Sequence, residues 1–186
     1  MLETIVAPAT PYGESSIGVI RISGSKALEI VKLLTKAKDF KNRYAHYRKI
    51  YLDNDIIDDA IVTFYESPNT YTGEDLVEIS CHGSVIVIRT IVSELVNLGC
   101  LMAEPGEFTK RAFLNGKLDL LQAESITSII KSKSDINLKN QQKILSGQLS
   151  DILLNIKQKL LDILSHFEHH LDTVSYTHLR AHETRF

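Results

Sequence analysis

The sequence lacks most features that mark secreted, membrane-bound and metal-binding proteins. It has only two cysteines, Cys81 and Cys100, and their spacing is not that of a metal site. Residues 1–6 do not have the charged and then apolar layout of a signal peptide. The longest apolar runs, such as residues 85–88, are far too short to cross a membrane. These absences favour a soluble, cytoplasmic protein without a membrane segment.

The sequence also lacks a P-loop and an excess of positive charge. Because no Gly-x-x-x-x-Gly-Lys-Ser/Thr motif occurs, we expect no GTP hydrolysis from this chain. Its 21 Lys and Arg and 23 Asp and Glu residues give a formal net charge of -2, which provides no overall footprint for nucleic acid. One local exception is a basic and aromatic stretch between Lys32 and Tyr51. We favour a solvated helix end and loop for this stretch over an RNA-binding surface.

The patterns that are present predict an α+β domain. Runs rich in β-branched residues predict strands at 4–7, 17–22, 45–52, 59–65, 76–81 and 100–103. Apolar residues at helical spacing predict helices at 26–34, with Ser25 as the N-cap, and at 85–98. The order β-β-α-β-β-β-α-β predicts a mixed sheet with helices on one side.

The second half of the chain is predicted to be helical. Pro105-Gly106 indicates a helix start, Asn115-Gly116 a turn, and a further helix is expected from Leu118. From about Ser134, apolar residues three and four apart predict one long helix that ends near Asp172 and needs a packing partner. We therefore divide the chain into domains 1–118 and 119–172, and interpret residues 173–186 as a non-native tail from read-through sequence.

Several charged or reactive residues are candidates for chemistry. The many charges of residues 105–124 indicate either a site or solvated helix surfaces. Adjacent residues on a strand face opposite sides, so a buried Cys81 thiol is favoured over a nucleophile paired with His82. His166 and His170 share a helix face, but no third metal ligand is evident, and we predict no metal site.

Five stretches together resemble the MnmE/TrmE family of tRNA-modification GTPases. They are Thr4-Ile-Val-Ala-Pro-Ala-Thr-Pro11, Gly18-Val-Ile-Arg-Ile-Ser-Gly24, Thr72-Gly-Glu-Asp-Leu-Val-Glu78, His82-Gly83, and Pro105-Gly-Glu-Phe108 through Gln122-Ala-Glu124. The resemblance covers about residues 3–172. It implies a folate-binding domain, similar to that of the glycine-cleavage aminomethyltransferase, followed by the first part of a helical domain.

The resemblance also implies a function, partners and a site. The parent protein would act with the flavoprotein MnmG to modify the wobble uridine of tRNA, using a folate one-carbon donor and GTP. The N-terminal domain would form a homodimer and bind 5-formyltetrahydrofolate through Arg21, Glu78 and Lys117. GTP, magnesium and potassium would be needed only by the full-length parent.

The sequence also allows three other interpretations. Arg21 and Glu78 alternate with apolar residues, so they can simply be solvent-facing strand residues. The chain can be a free-standing folate-dependent one-carbon transferase. It can also be an assembly module that acts through its long helix, in which case it is predicted to bind no folate.

Overall fold

The computed structural model confirms an α+β fold with a mixed sheet. It describes residues 3–11 and 13–182, with side chains up to residue 169. The elements are β1 (Ile5–Pro8), β2 (Ser15–Ser23), α1 (Ala27–Thr35), β3 (Ala45–Leu52), β4 (Asp55–Tyr65), β5 (Leu76–Gly83), α2 (Val85–Asn97), β6 (Leu101–Met102), α3 (Glu107–Leu114), α4 (Leu120–Ile130), α5 (Asp135–Leu145) and α6 (Gln148–His182). The strands run in the order β3-β4-β5-β2-β1-β6, and neighbouring strands are antiparallel except for the parallel pair of β1 and β6.

The chain divides into two compact units, Met1–Leu118 and Asp119–Phe186. The first unit contains the whole sheet and helices α1 to α3, and the second contains α4 to α6. The predicted order of the first eight elements is confirmed, because each strand and helix carries its own local period.

Helices α1 and α2 both pack on one face of the sheet, and neither of them covers the other face. Strand β2 shows how the sequence arranges this: Ile20 and Ile22 are fully buried, whereas the intervening Arg21 points to the opposite face. From the helices, Ile30 of α1 and Ile91 of α2 join the same core. We call the opposite side the open face, and it carries the polar residues of β2, β4 and β5.

The prediction of one long helix from Ser134 was wrong. Helix α5 ends at Leu145, and Gly147 adopts a left-handed conformation with φ +88° before α6 begins. Glycine adopts this conformation without a steric penalty, so it ends a helix even where the apolar pattern continues. Helix α6 then runs past Asp172 to His182.

Two smaller differences concern helix α1 and the end of the chain. Helix α1 begins at Ala27, and its N-cap is Lys26, which makes no side-chain capping bond, so the prediction of Ser25 was wrong. The side chains of the predicted non-native tail, residues 173–186, lie outside the described part of the structure.

Candidate functional site

Arg21 and Glu78 form an ion pair on the open face of the sheet. They lie directly opposite each other on the antiparallel strands β2 and β5. The Arg21 Nε and Nη2 groups both donate to Glu78 Oε1, at 3.0 and 2.7 Å. The two side chains are 29% and 27% exposed, so the pair is partly desolvated but accessible. At such exposure the pair contributes roughly 1 kcal/mol, which a bound molecule could offset.

The ion pair leaves part of each charged group available. Glu78 Oε2 receives only a long contact of 3.5 Å from the Tyr65 hydroxyl. Burial, and then the charge of Glu78, raise the pKa of Tyr65, so its hydroxyl remains a donor at neutral pH. Arg21 Nη1 has no hydrogen-bond partner among the residues that the structure describes. A carboxylate oxygen with only this long contact, and a guanidinium nitrogen without a partner in the described structure, are therefore available to bind a polar molecule.

Two aromatic rings lie close to the Arg21 guanidinium. Its Cζ is 5.4 Å from the centre of the Tyr71 ring and 5.8 Å from that of Phe108. Tyr71 belongs to the loop before β5 and Phe108 to α3, and the Tyr71 hydroxyl lies 2.9 Å from Thr109 Oγ1. We call Arg21, Glu78, Tyr65, Tyr71 and Phe108 the Arg21–Glu78 site. It places two charged side chains beside aromatic rings on one face of the sheet.

Lys117 packs against the loop that carries Tyr71. A methyl group placed on Gly73 would lie 3.4 Å from Lys117 Cγ and 3.5 Å from its Cδ. Gly73 has φ +78°, a left-handed conformation that favours glycine. Asn115 Nδ2 donates to Thr72 O at 2.7 Å and fastens the α3 end to the same loop. The Lys117 side chain is exposed, and no hydrogen bond or ion pair joins it to Arg21 or Glu78 in the described structure.

A buried ion network connects this loop to helix α3. Arg111 is only 4% exposed, and its Nη1 lies 3.2 and 3.1 Å from the two carboxylate oxygens of Glu74. Its Nε and Nη2 donate to Glu107 Oε1, at 3.2 and 2.8 Å. Ser23 Oγ donates to Glu74 Oε2 at 2.8 Å. Arg111 therefore joins α3 to the loop through Glu74, and Glu107 holds the Arg111 guanidinium in position within α3.

The other charges of the stretch 105–124 are either structural or solvated. In the second unit, Asp119 caps α4: its side chain accepts from the Gln122 backbone, and the Gln122 side chain accepts from the Asp119 backbone. The Ser150 hydroxyl, which donates to Asp119 Oδ2 at 2.5 Å, is the main cause of the lowered pKa of Asp119. Lys110 and Glu124 are exposed.

The Cys81-His82 neighbours face opposite sides of the sheet and do not contact each other's reactive atoms. The Cys81 thiol is buried and donates to Gly18 O at 3.5 Å, while His82 Nδ1 lies 2.5 Å from Asp58 Oδ1. Burial, and then the charge of Asp58, raise the pKa of the Cys81 thiol to about 11. A thiol with so high a pKa is a poor nucleophile at neutral pH. Gly83 follows, where any Cβ would overlap the Ser15 backbone.

Neither a metal site nor a membrane span is found in the described residues. Within this part of the chain, no three His, Cys, Asp or Glu side chains are grouped so that they could hold a metal ion. The side chain of His170, which was paired with His166 in the sequence, lies outside it. No helix over the same residues has the length and apolar character needed to cross a membrane.

The aromatic members of the site were not among the residues predicted from the sequence. Tyr71 directly precedes the family stretch that begins at Thr72, and Phe108 lies within another such stretch, so a local signal existed for both. Tyr65 had no such signal, because only the pairing of β4 with β5 brings it near Glu78.

Comparison with known proteins finds a family model and several curated relatives that match this chain. The family model described as "GTP-binding protein TrmE N-terminus" matches residues 4–117. The tRNA modification GTPase MnmE of Aquifex aeolicus is 45% identical over 170 residues, which are 90% of this chain and 38% of that protein. MnmE proteins of Francisella tularensis subsp. holarctica and subsp. novicida are 48% identical over 170 residues, covering 91% of this chain and 38% of theirs. The chain thus spans about 38% of the length of these curated relatives.

Proposed function

The chain belongs to the MnmE/TrmE family as its N-terminal domain, and we propose that it binds a reduced folate such as 5-formyltetrahydrofolate at the Arg21–Glu78 site. The observation that carries this proposal is the half-buried ion pair with a free carboxylate oxygen, a free guanidinium nitrogen and two neighbouring aromatic rings. A folate has a flat pterin ring with N–H donors and a carbonyl acceptor, and a glutamate tail with carboxylates. The residues present fit these groups.

Each predicted site residue has a distinct role in this proposal. Glu78 Oε2 accepts hydrogen bonds from the pterin N–H groups, and Arg21 Nη1 donates to an acceptor on the same molecule. Tyr71 and Phe108 provide apolar walls for the ring. The exposed Lys117 attracts the tail carboxylates. When bound, the folate supplies the one-carbon group, while these residues bind and orient it.

Calorimetric titration with 5-formyltetrahydrofolate tests the site. Glu78→Gln removes one carboxylate charge and is expected to weaken binding about 10- to 100-fold, because hydrogen bonds to charged groups are the strong ones. Lys117→Gln is expected to weaken it only about two- to fivefold, since its ammonium group is exposed.

Asp59→Asn is the matched control for Glu78→Gln. Asp59 also pairs with a cation on a neighbouring strand, with Lys49 Nζ at 3.1 Å, but it does not belong to the Arg21–Glu78 site. The Asp59→Asn variant is expected to bind folate with the same affinity as the wild type. Absence of binding by the folded wild type, or an equal loss in Asp59→Asn and Glu78→Gln, would contradict the proposal.

We propose that two copies of the chain associate through the open face. The side chains of Ile17, Tyr47 and Ile61 are 61%, 66% and 47% exposed, and Tyr47 and Ile61 are cross-strand partners. These three residues line a shallow cavity of about 350 Å³, together with Ser80 and His82. Adjacent exposed apolar residues on a flat face favour a protein contact.

Sedimentation velocity tests this association. Ile61→Lys is expected to convert a dimer into a monomer, because it would bury a charge in the contact. Ile86→Lys is the control, since Ile86 is also an exposed isoleucine, 67% exposed, but lies on α2. A dimer that persists in Ile61→Lys, or that dissociates equally in both variants, would exclude this face.

At the level of the whole protein, we propose a role in modification of the wobble uridine of tRNA. The similarity to tRNA modification GTPases supports this role. GTP with its magnesium and potassium, and the flavoprotein MnmG, are the partners proposed for a full-length protein. The two free cysteines are compatible with the reducing cytoplasm that we propose as its location. Loss of the modified uridine in cells that carry the Glu78→Gln protein, measured by nucleoside mass spectrometry, is the expected result.

A further inference from the structure

The segment from Lys36 to Lys49 concentrates positive charge in a chain whose formal net charge is -2. It contains six Lys and Arg residues and only one acidic residue, Asp39. We call its first part, residues 36–44 between α1 and β3, the basic loop. Lys38, Lys41 and Arg43 of this loop form no ion pair with any carboxylate in the described residues. Unneutralised like charges repel one another and attract polyanions.

Backbone hydrogen bonds fix the position of the basic loop, and its cationic side chains remain exposed to solvent. The Arg43 backbone N–H donates to Phe64 O at 2.7 Å, and the Lys41 backbone N–H donates to His46 Nε2 at 2.8 Å. Lys38, Lys41 and Arg43 are all exposed. A loop that is already ordered loses little conformational entropy when it binds a partner.

An exposed aromatic ring accompanies these cations. Tyr44 is 56% exposed, and the Lys41 ammonium group lies 5.9 Å from the centre of its ring. The His46 ring packs edge-on against Tyr44, with 4.9 Å between ring centres, and restricts its orientation. Aromatic rings beside cations are the combination with which proteins stack the bases of single-stranded nucleic acid.

Arg48 adds a further uncompensated charge beside the loop. Its guanidinium lies 5.5 Å from the centre of the Phe40 ring and donates to backbone carbonyls, of Tyr47 at 3.1 Å and Asp39 at 3.4 Å. Its Nε is buried and has no hydrogen-bond partner in the described structure. Because no carboxylate of the described residues pairs with Arg48, its charge increases the positive potential of this surface.

The basic loop also adjoins the Arg21–Glu78 site. The Arg43 guanidinium lies 5.7 Å from the centre of the Tyr65 ring and donates to Asn69 O. The Tyr65 hydroxyl in turn faces Glu78 Oε2 at 3.5 Å. Tyr65 therefore connects the cationic surface to the proposed folate site within the same unit.

We propose that the basic loop is an RNA-binding surface on which Lys38, Lys41 and Arg43 contact backbone phosphates and Tyr44 stacks on an unpaired base. This inference rests on the proposed function for the choice of RNA as the polyanion. It adds a surface that the Arg21–Glu78 site does not include. The polymer is recognised by its regularly spaced phosphates and unpaired bases.

Filter binding of the whole chain to an unmodified tRNA transcript tests the proposal, with the dissociation constant measured between about 50 and 200 mM salt. The test variant combines Lys38→Gln, Lys41→Gln and Arg43→Gln. The control combines Lys131→Gln, Lys133→Gln and Lys139→Gln, which remove the same charge from exposed positions in the second unit. Both variants have the same net charge, so they differ only in where the charge is lost.

Loss of three phosphate contacts is expected to reduce the slope of log affinity against log salt by about two to three, because each contact contributes about 0.7 to 0.9. The affinity of the test variant at about 0.1 M salt is therefore expected to fall roughly 100-fold or more. The control is expected to match the wild type. Absence of tRNA binding by the wild type, or equal losses in test and control variants, would overturn the proposal.

Two further measurements separate RNA from other polyanions and from the folate site. Tyr44→Leu is expected to weaken binding at least about fivefold with an unchanged salt slope, since stacking involves no phosphate. Competition by polyglutamate as strong as that by tRNA would instead assign the surface to an acidic protein. Because Arg43 contacts Tyr65, folate binding is compared in a variant that combines only Lys38→Gln and Lys41→Gln. This variant is expected to bind 5-formyltetrahydrofolate like the wild type, so failure of one proposal does not imply failure of the other.

Discussion

Replacement of Arg111 by methionine is expected to destabilise the first unit by about 3–5 kcal/mol, the typical effect of breaking a buried ion pair. Arg111 is 4% exposed, while the Glu74 and Glu107 side chains that it contacts are 16% and 19% exposed. Methionine fills a similar volume without charge, so two carboxylates would be left near each other without a cation. Because the free energy of unfolding of small domains is about 5–15 kcal/mol, this loss is a large fraction of the total stability.

Urea unfolding followed by near-UV circular dichroism of tyrosine measures this effect. Six of the seven tyrosines lie within residues 1–118, so the signal reports mainly on the first unit. Lys49→Met is the control, because it breaks the pair of Lys49 with Asp59, in which the Lys49 side chain is 48% exposed. The control is expected to change the free energy of unfolding by less than about 1 kcal/mol.

The pH dependence provides an independent check on the same interaction. Burial acts to raise the pKa of Glu107, but hydrogen bonds from the Glu104 backbone and from Arg111 outweigh it, so the pKa lies below its usual value of 4.5. A lowered folded-state pKa stabilises the fold above the unfolded pKa, and this contribution is lost as the pH falls through the folded value. The difference between wild type and Arg111→Met is therefore expected to be full at neutral pH and to shrink below about pH 4.5. A difference below about 1 kcal/mol at neutral pH, or one that grows on acidification, would refute this explanation.

Three other predictions concern the cysteines, the loop beside Lys117 and the cap of α4. Burial raises the pKa of both Cys81 and Cys100 to about 11, so only about one thiol in a thousand is ionised at about pH 8. We therefore expect a disulfide reagent to label both cysteines slowly until urea unfolds the protein. Fast labelling in the native protein would contradict the buried positions. Gly73→Ala is expected to destabilise the fold by about 1–2 kcal/mol, because φ at this position is +78° and the new methyl group would lie 3.1 Å from Asn115 Cβ. The same variant is expected to bind folate more weakly in calorimetric titration. An unchanged affinity would show that the loop does not shape the site. Asp119→Ala is expected to lower the stability of α4 by about 0.5–2 kcal/mol through loss of its capping box, measured by helical circular dichroism during urea unfolding. An unchanged transition would show that α4 does not depend on this cap.

Local sequence patterns predicted most elements of the first unit correctly. Strand β2 alternates buried and exposed residues, and α1 repeats apolar residues at helical spacing, so each element can be read from neighbours in the chain. The same reasoning failed at Gly147, because the apolar repeat continues across a glycine whose left-handed conformation ends α5. Periodicity reports which side of a helix is apolar and does not report where the backbone changes direction.

The site depended on contacts between residues that are distant in sequence. Arg21 and Glu78 were selected through a family resemblance, yet their direct contact follows from the register of β2 and β5, which joins positions 57 residues apart. In the sequence, Arg111 is one charge among many in residues 105–124. Its structural role depends on the fold, which places the Glu74 and Glu107 carboxylates within hydrogen-bond distance of its buried guanidinium.

The amino-acid order alone was enough to predict the fold class and the family and to single out Arg21, Glu78 and Lys117 as candidates, because strand and helix periods and short motifs are local properties. Folding was needed to bring Tyr65 and Phe108 to the Arg21–Glu78 pair and to direct the Cys81 thiol and the His82 ring to opposite sides. It also leaves Lys38, Lys41 and Arg43 without acidic partners among the residues that the structure describes. Such contacts depend on strand register and on the packing of loops, which no single stretch of the chain encodes by itself.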